Sequence, residues 1–338
     1  MRILFVVNAS ASSVTARARV VIQKALAADH AVTVASTSRR GHATRLAQGA
    51  ATEGADVVVV LGGDGTVNEA ANGLVGTGTA LAVLPGGSTN VFARSLGMTN
   101  DPIEATGELL PALAAGDFPT VGLGQANGRY FLFHVGAGYD AAVVAEVEKR
   151  AGVKRFLGSA VFVTAAVSTW ARGVDRSQPW FTMHLGDGGG GAGGGGGSGG
   201  GGGNGGAVGS AGAAALDGLE GLFAICLNTG PYTYFNQRPI DLLPGLRLGD
   251  GLGVVAFRSI GLPTLLGVTL SAIRGGALAG GRRVVAGRGI AAIELVGHRP
   301  LPYQVDGDHV GEVDRLVVRY VPDAMRLVLP HARLPGAP

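Results

Sequence analysis

Short apolar runs alternate with longer amphipathic segments along the first third of the chain. The runs are rich in Val, Leu and Ala and are bounded by polar or glycine residues, a pattern typical of buried strands in a parallel sheet. The segments between them space their apolar residues at helical intervals. Strands are predicted at 2–7, 31–36, 56–61 and 80–85, and helices at 14–28, 42–53, 88–97 and 101–116. This alternation predicts an α/β domain over residues 1–120, with helices on both faces of a parallel sheet.

The pattern changes after about residue 120 to short strands and turns. The dipeptide Asn127-Gly128 separates two apolar runs and predicts a hairpin turn. Further strands are predicted at 180–185 and 221–228, and one long helix at 151–172. Residues 121–320 are therefore predicted to form a second, β-rich domain.

The segment 186–212 departs from this pattern, because 19 of its 27 residues are glycine. Glycine at this density loses much backbone entropy on ordering and offers no side chains to bury, so a disordered insert is predicted. Strands are predicted on both sides of the insert, which therefore interrupts the second domain. An RNA-binding or assembly tract is the alternative, but the segment lacks the arginine and aromatic residues that such tracts use.

Composition and charge limit the classes of function. Hydrophobic residues make up 46% of the 338 residues and charged residues 15%, which is typical of globular domains. The net charge is +3, but the basic residues are scattered, so no nucleic-acid partner is expected. The single cysteine, Cys226, excludes an intrachain disulfide and a cysteine-cluster metal site.

The apolar start of the chain is too short for a signal peptide or a membrane span. The nearest approach to a spanning helix is the segment 261–280, which contains Arg274 and five glycines. A cytoplasmic location is therefore expected.

The predicted strand at 56–61 runs into Gly62-Gly63-Asp64-Gly65-Thr66 and then directly into a helix. Such a turn places backbone N–H groups at the carboxyl edge of the sheet, where α/β domains bind phosphates. The glycines allow close approach of an anion, and Thr66 could cap the helix or bond a phosphate oxygen. An acid there would repel phosphate unless a metal or a proton is involved, so Asp64 suggests phosphoryl transfer. An ordinary Asp-Gly turn before a capped helix is the alternative.

A second cluster, "LPGGSTNVFARSLG" at residues 84–97, repeats the arrangement of strand, glycines, polar residues and helix. Ser88, Thr89 and Asn90 are predicted at the helix start, where they could bond phosphate or ribose, or serve only as the helix cap. The two loops are expected to face one another across a single crevice. Neither loop is a Walker A or a dinucleotide-binding sequence.

Together, GGDGTxNE at 62–69 and PGGSTNxFAR at 85–94 resemble the diacylglycerol kinase catalytic family, which includes bacterial lipid kinases and sphingosine kinases. Further similar segments are Asn8 at the end of the first strand, 37–43, 136–143, 248–255 and 305–308. The resemblance implies an N-terminal α/β domain like that of NAD kinases and a C-terminal β-sandwich that takes the lipid. It also implies that the last segment, about 321–332, returns to the first domain.

The resemblance further implies a set of functional residues. The nucleotide-binding residues would be Asn8, Ala9, Ser10, Ala11, Ser12, Thr37, Gly63, Asp64, Gly65, Thr66, Val67, Asn68, Glu69, Ser88 and Asn90. The catalytic residues would be Asp64 and Asp308, with Asp308 as the proton acceptor. The metal ligand would be Asp250, assisted by the backbone carbonyls of Arg247 and Leu252.

Four positions depart from the family pattern. Ser12 replaces the last glycine of the first loop, and Val91 replaces an acid of the aspartate network. Asp308 stands where the family usually has Glu, and Gly249 where many members have a second aspartate. These departures affect the metal site more than the fold.

The resemblance implies ATP and Mg²⁺ as cofactors and transfer of the γ-phosphoryl group to a lipid hydroxyl, with diacylglycerol or a related lipid as acceptor. The alternatives are an NAD kinase-like soluble phosphotransferase and a nucleotide-binding regulator without turnover. Residues 149–173 begin with basic residues around an apolar middle and suggest peripheral contact with the inner face of the membrane, or else a core helix. A homodimer is left open.

Overall fold

The computed structural model describes residues 1–11, 13–138, 178–186, 214–235, 237–259 and 283–330. The first domain alternates strands and helices in the predicted order. Its strands are β1 (Arg2–Val7), β2 (Ala31–Ser36), β3 (Val57–Gly62) and β4 (Ala80–Pro85). Its helices are α1 (Ala16–Ala27), α2 (His42–Thr52), α3 (Asp64–Leu74), α4 (Val91–Ser95) and α5 (Pro102–Ala115).

The four strands form a parallel sheet in the order β2-β1-β3-β4. Every residue of β3 and β4 is buried, which explains their continuous apolar runs, whereas the edge strand β2 is only partly covered. The predicted α/β domain with a parallel sheet is confirmed.

Helix α5 begins as its Asp-Pro sequence predicts. The Asp101 carboxylate accepts hydrogen bonds from the backbone N–H groups of Ile103 at 2.8 Å and Glu104 at 3.0 Å. Pro102 occupies the first turn, where its missing N–H costs nothing, and Gly116 ends the helix at a φ of 68°.

The second domain is built from antiparallel strands. They are β5 (Thr120–Ala126), β6 (Arg129–Phe131), β7 (His134–Gly138), β8 (Phe181–Gly186), β9 (Leu219–Gly221), β10 (Phe223–Leu227), β11 (Thr233–Phe235), β12 (Arg238–Ile240), β13 (Leu252–Phe257), β14 (Val284–Ile290), β15 (Ala292–Val305) and β16 (Asp308–Arg326). Ten of them form one sheet in the order β14-β13-β10-β7-β15-β16-β5-β6, with β8 on β15 and β9 on β8. The separate hairpin β11-β12 completes the set.

This sheet confirms a β-rich second domain. Strands β7, β10 and β13 are buried along their whole length, so both faces of the sheet centre are covered. Asn127 and Gly128 form the predicted hairpin turn, both at positive φ, between β5 and β6. The single strand predicted at 221–228 is wrong in detail, because β9 ends at Gly221 and β10 begins at Phe223.

The end of β16 packs on the first domain. Leu327 lies beside Leu81 of β4 in a parallel bridge, and the N–H of Val328 donates to the carbonyl of Leu81 at 2.8 Å. Ala324, Met325, Leu327 and Val328 belong to the hydrophobic core of the first domain. The last strand therefore crosses from one core to the other.

Hydrogen bonds across α3 and β6 join the two domains. The side chain of Asn72 donates to the carbonyl of Tyr130 and accepts from its N–H, each at 3.0 Å. Asn68, one turn earlier on α3, donates to the carbonyl of Tyr130 and to the carboxylate of Asp306. These amide side chains fix the start of the second domain on α3.

Asp306 is the centre of this junction. It lies in the turn between β15 and β16 at a φ of 49°. Its carboxylate accepts from the backbone N–H groups of Leu132, Phe133 and His134 at 2.8 to 3.0 Å and from Asn68 at 2.8 Å. Burial raises the pKa of Asp306 to about 6, although these four donors stabilise its charged form.

His134 is buried beside Asp306, and its ring packs against those of Phe133 and Tyr232. Its Nδ1 has no hydrogen-bond partner in the described part of the chain. Burial lowers the pKa of His134 to about 3, so the folded protein keeps this ring neutral.

Several predictions made from the sequence fall outside the described residues. They are the helix at 151–172, the basic segment 149–173, the segment 261–280, and the glycine-rich insert apart from Gly186, which pairs in β8. Among the helices that the structure describes, none is both long and apolar enough to cross a bilayer.

We expect Asp306→Asn to lower the free energy of unfolding by about 2–5 kcal/mol. An amide nitrogen in place of one carboxylate oxygen faces N–H donors, which leaves buried donors unsatisfied at about 1–3 kcal/mol each. Chemical denaturation near neutral pH measures the change. The exposed Asp29→Asn is the control and should change stability by less than about 0.5 kcal/mol. Equal stabilities of the two variants would contradict the role of Asp306.

We expect His134→Gln to flatten the loss of stability on acidification. The pKa of His134 is 6.5 in the unfolded chain and about 3 in the folded protein. Between these two pH values the unfolded chain binds a proton that the folded protein does not bind. The wild-type protein therefore loses roughly 1.4 kcal/mol per pH unit, or about 2 kcal/mol by pH 5, through this residue.

Asp306 acts with the opposite sign, because its raised pKa gives stability that is lost as pH rises from 3.8 through about 6. It is present in both proteins, so the difference between their unfolding curves from pH 7.5 to 5 isolates His134. His184→Gln, at an exposed position on β8, is the matched substitution. Parallel pH dependences of wild type and His134→Gln would refute the assignment.

Candidate functional site

Two glycine pairs bring the predicted phosphate loops into direct contact. A methyl group added to Gly86 would lie 2.8 Å from the Cα of Gly62. One added to Gly87 would lie 2.8 Å from the Cα of Gly63. The loops therefore pack backbone against backbone at these glycines, and the expected crevice between them is absent there. Only glycine permits this approach without displacing a strand.

Asp64 links the two loops through hydrogen bonds. Its Oδ2 accepts from the N–H of Val91 and its Oδ1 from the N–H of Phe92, each at 3.0 Å. Asp64 begins α3, and both donors belong to the first turn of α4. Burial raises the pKa of Asp64, and the two backbone donors partly offset this by stabilising the carboxylate.

The departure from the family pattern at position 91 has a structural explanation. The side chain of Val91 is buried in the core of the first domain, so this position presents no acid to the site. Its backbone N–H is the group that Asp64 uses. The contact therefore does not depend on an acidic side chain at position 91.

Asn90 closes the second loop. Its Oδ1 accepts from the N–H groups of Gly86 at 3.2 Å and Gly87 at 2.7 Å, and its Nδ2 donates to the carbonyl of Gly87 at 2.9 Å. Asn90 has a φ of 49°, so α4 begins at Val91. The predicted helix start at Ser88 is wrong, because Ser88 and Thr89 lie in the loop that Asn90 holds.

The loop after β1, residues 8–13, contacts both glycine loops. The side-chain amide of Asn8 donates to the hydroxyl of Thr66 at 2.9 Å. The N–H of Ser13 donates to the carbonyl of Gly86, and its hydroxyl to the carbonyl of Gly87. Three loops thus converge at the carboxyl ends of β1, β3 and β4.

The remaining nucleotide-binding candidates in the loops after β1 and β2 lie at the carboxyl edge of the parallel sheet. Ala9 and Ser10 are exposed after β1, Ala11 is half-buried, and Ser12 is outside the described residues. Thr37 follows β2, and its N–H donates to the carbonyl of Val7. The edge is therefore open to solvent along the first loop.

Three candidates on α3 have structural contacts of their own. Thr66 does not cap the helix, because Gly63 is the N-cap residue and Thr66 is bonded to Asn8. The side chains of Val67 and Asn68 are buried, with exposed fractions of 2% and 1%. Only the backbone of these two residues could therefore contact a nucleotide.

Glu69 fixes the turn before α2. Its carboxylate accepts from the N–H of Gly41 at 2.8 Å and from that of Ala43 at 3.2 Å. Gly41 is the N-cap residue of α2 and has no side chain to cap the helix, so Glu69 caps it instead. An acid at a helix N-terminus is favourable for the helix dipole. Glu69 therefore positions the turn that carries Arg40.

Asp308 is the first residue of β16, and its side chain lies beside the first turn of α3. Its Oδ2 is 3.4 Å from the position that a Cβ on Gly65 would take, and its negative charge raises the pKa of Asp64 further. Arg40 approaches Oδ1 at 3.5 Å and Arg129 approaches Oδ2 at 3.7 Å. The two predicted catalytic acids are thus neighbours, with a cation from each domain beside Asp308.

Sequence reasoning assigned no role to Arg40, Arg129 or Asp306. Arg40 lies in the segment 37–43 that was noted only as similar to the family, and Arg129 follows the Asn-Gly turn. Arg129 also donates to Asn68 Oδ1 at 3.1 Å. The hydrogen-bond partners of Asp306 are distant in the sequence, so no local pattern identifies them.

Asp250 does not form a ready metal centre in the described part of the chain. Its Oδ2 accepts from the N–H of Arg247 at 2.8 Å, and its own N–H donates to the carbonyl of Arg247 at 3.1 Å. That carbonyl, a predicted metal ligand, is therefore used within the turn. Leu252 begins β13, opposite Ile290.

Over the described residues there is no group of three His, Cys, Asp or Glu side chains that could hold a metal ion. A magnesium site normally needs one or two carboxylates together with substrate phosphates. The residues around Asp250 do not fit a preformed site, and the metal assignment stays a prediction.

Comparison with known proteins finds similarity to a kinase family and to proteins named as kinases. Residues 2–124 match the family model described as "Diacylglycerol kinase catalytic domain". A protein of Bacillus subtilis named "Diacylglycerol kinase" is 33% identical over 145 residues, which are 42% of this chain and 46% of that protein. A Pseudomonas aeruginosa protein named "Probable lipid kinase YegS-like" is 33% identical over 157 residues, 46% of this chain and 49% of that protein. The matched part thus spans about half the length of these relatives.

The fold is similar over a longer range. A crystal structure of a diacylglycerol kinase from Bacillus anthracis superposes with a TM-score of 0.66 at 17% identity, covering 98% of both chains. A second structure from that organism gives a TM-score of 0.70 at 20% identity, again over 98% of both chains. At such identities the similarity concerns the fold alone. Residues 2–124 are therefore similar to the diacylglycerol kinase catalytic domain family.

Proposed function

We propose that this protein is a lipid kinase, which transfers the γ-phosphoryl group of ATP to the hydroxyl of a lipid, with diacylglycerol or a related lipid as acceptor. The observation that carries the proposal is the position of Asp308. Its carboxylate lies at the first turn of α3, beside Gly65 and Asp64, and between two arginines. The names of the related proteins from Bacillus subtilis and Pseudomonas aeruginosa support a lipid acceptor.

The converging loops suit the phosphates of ATP. The positive end of the α3 dipole and the glycines before it favour an anion at the carboxyl edge of the sheet. Asn8 and Thr66 hold the first loop to this edge. Any Mg²⁺ would be held mainly by the phosphates of ATP, whose negative charge it would neutralise.

Asp308 is suited to accept a proton. Its side chain is 30% exposed, and both arginine contacts are longer than the roughly 2.7–2.9 Å of a charge-assisted hydrogen bond. Neither arginine therefore occupies a carboxylate oxygen directly. An acceptor hydroxyl could give its proton to Asp308 as its oxygen bonds the γ-phosphorus and the bond to ADP breaks.

Arg40 and Arg129 are suited to stabilise charge on the transferred group. Phosphoryl transfer spreads negative charge over the equatorial oxygens, and fixed cations beside them lower the barrier. Arg40 comes from the first domain and Arg129 from the second. Their approach to Asp308 therefore requires both domains to be in place.

A lipid acceptor requires access to a bilayer, so peripheral membrane contact is part of the proposal. The segment 149–173, which the sequence suggests for that contact, is outside the described residues. Sedimentation with vesicles can test the contact independently of turnover.

Incubation with radiolabelled ATP and a panel of acceptors tests the function. We expect labelled lipid with diacylglycerol or a related lipid, and a fall of about 10²–10⁴ in kcat for Asp308→Asn, because base assistance is lost. Asp314→Asn, at an exposed position on the same strand, is the matched control. NAD as the only acceptor would replace the proposal with a soluble phosphotransferase. ATP binding without transfer to any lipid would indicate a regulator.

Asp64→Asn should reduce turnover and stability together. An amide cannot accept from both Val91 and Phe92, so one buried N–H loses its partner at a cost of about 1–3 kcal/mol. Thermal unfolding and the lipid assay should both be measured, with the exposed Asp117→Asn as control. An Asp64→Asn protein that keeps wild-type stability would show that the link to α4 is not needed for the fold.

A further inference from the structure

A cavity of about 570 Å³ lies beside the end of α4, and both domains line it. The first domain contributes Arg94 on α4 and the connection from α4 to α5, which includes Thr99 and Asn100. The second domain contributes Tyr234 and Gln237 from the hairpin β11-β12. We call it the interdomain cavity. Its volume lies within the roughly 300–1,000 Å³ of ordinary ligand sites.

Among the residues that the structure describes, the lining of the interdomain cavity is mainly polar and includes one cation, Arg94. Arg94 stacks on the ring of Tyr234, with its guanidinium carbon 3.5 Å from the ring centroid. Its Nη2 donates to Gln237 Oε1 at 3.3 Å. Stacking uses the face of the guanidinium, whereas anions bind the N–H groups along its edge. The contacts with Tyr234 and Gln237 thus fix the plane of the Arg94 guanidinium on the cavity wall.

The lining also contains an acid, Asp101, but its carboxylate is bonded to the start of α5 and not to Arg94. The carboxylate of Asp101 accepts from two N–H groups at the start of α5, which has fourteen residues. Its negative charge is therefore set against the positive end of that helix dipole. Burial lowers the pKa of Arg94, and the nearby Tyr234 and Asp64 partly offset the effect. The cation is partly desolvated, which strengthens its attraction for an anion.

The interdomain cavity is connected to the second glycine loop by a chain of hydrogen bonds. Asn100, on the cavity wall, accepts from Asn90 Nδ2 at 2.8 Å. Asn90 in turn binds the N–H groups of Gly86 and Gly87. An occupant that moved Asn100 would therefore act on the loop through a single residue.

We propose that the interdomain cavity is a second anion site, which binds a phosphate group through Arg94, with amide and hydroxyl groups of the wall as further donors. The phosphate is either free inorganic phosphate or the headgroup of a phospholipid. The polar lining suits a headgroup rather than an acyl chain. The proposal does not depend on the kinase activity, because Arg94 and the other residues of the lining are not the ones proposed to transfer the phosphoryl group.

Titration of the full-length protein with inorganic phosphate tests the site directly. The side-chain amide of Gln237 is followed by nuclear magnetic resonance and is assigned by its loss in Gln237→Glu, with sodium chloride at equal ionic strength as reference. We expect its signals to shift with phosphate in the wild-type protein, and the affinity to fall roughly 10- to 100-fold in Arg94→Gln. Reading the signal at Gln237 separates this site from phosphate bound at the glycine loops.

Arg238→Gln is the matched control, because Arg238 lies exposed on the same hairpin and outside the cavity lining. It should bind phosphate as the wild type does. Arg94→Lys keeps the charge but loses the planar fork, so it should bind with intermediate affinity. If Arg94→Gln does not fold, as judged by circular dichroism, Arg94→Lys carries the comparison.

Vesicles of phosphatidylcholine with and without phosphatidylglycerol distinguish the two sources of phosphate. Sedimentation that depends on phosphatidylglycerol and on Arg94, but not on Arg238, would support a headgroup ligand even without a response to free phosphate. A phosphate response at Gln237 that Arg94→Gln leaves unchanged would overturn the proposal. So would the absence of both the phosphate response and Arg94-dependent vesicle binding.

Discussion

The hydrogen bonds of the Asp306 carboxylate connect the second domain to α3 of the first, at the place where the two candidate catalytic acids meet. Three backbone N–H groups from residues 132–134 and the side chain of Asn68 converge on it. The first three belong to the second domain and the fourth to α3 of the first. Asp308 follows after one glycine, so whatever fixes Asp306 also fixes the candidate base above the first turn of α3. The geometry of the site is thus a consequence of the junction.

A second constraint acts inside the first domain. The glycines after β3 and β4 touch, which places the starts of α3 and α4 side by side. Asp64 can then bond two N–H groups of α4, a contact that side chains at Gly86 or Gly87 would prevent. Close packing of the loops and placement of the acid are therefore one structural feature. The backbones of the two predicted phosphate loops support each other, and Asn90 and Ser13 add hydrogen bonds to that support.

Local signals predicted much of the fold, because they depend on neighbours in sequence. Buried runs gave the strands, Asp101-Pro102 gave a helix start, and Asn127-Gly128 gave a hairpin. Contacts between distant residues carry no such signal. Asn68 and Asp306 are 238 positions apart, so Asn68 was assigned to nucleotide binding by its motif, although its side chain is buried at the junction. The start of α4 was misplaced for a related reason, since the left-handed Asn90 serves the loop before it.

The environments of Asp64 and Asp308 indicate different tasks for the two acids. Both oxygens of Asp64 hold backbone N–H groups, so taking a proton there would weaken the start of α4. Asp308 is partly exposed, and its arginine neighbours attract it without occupying its oxygens at hydrogen-bond distance. Asp64 therefore holds the two loops together, whereas Asp308 is the acid that the proposed function uses as proton acceptor. This division also explains why valine is acceptable at position 91, where the family pattern has an acid: Asp64 needs only a backbone N–H there, and every residue except proline supplies one.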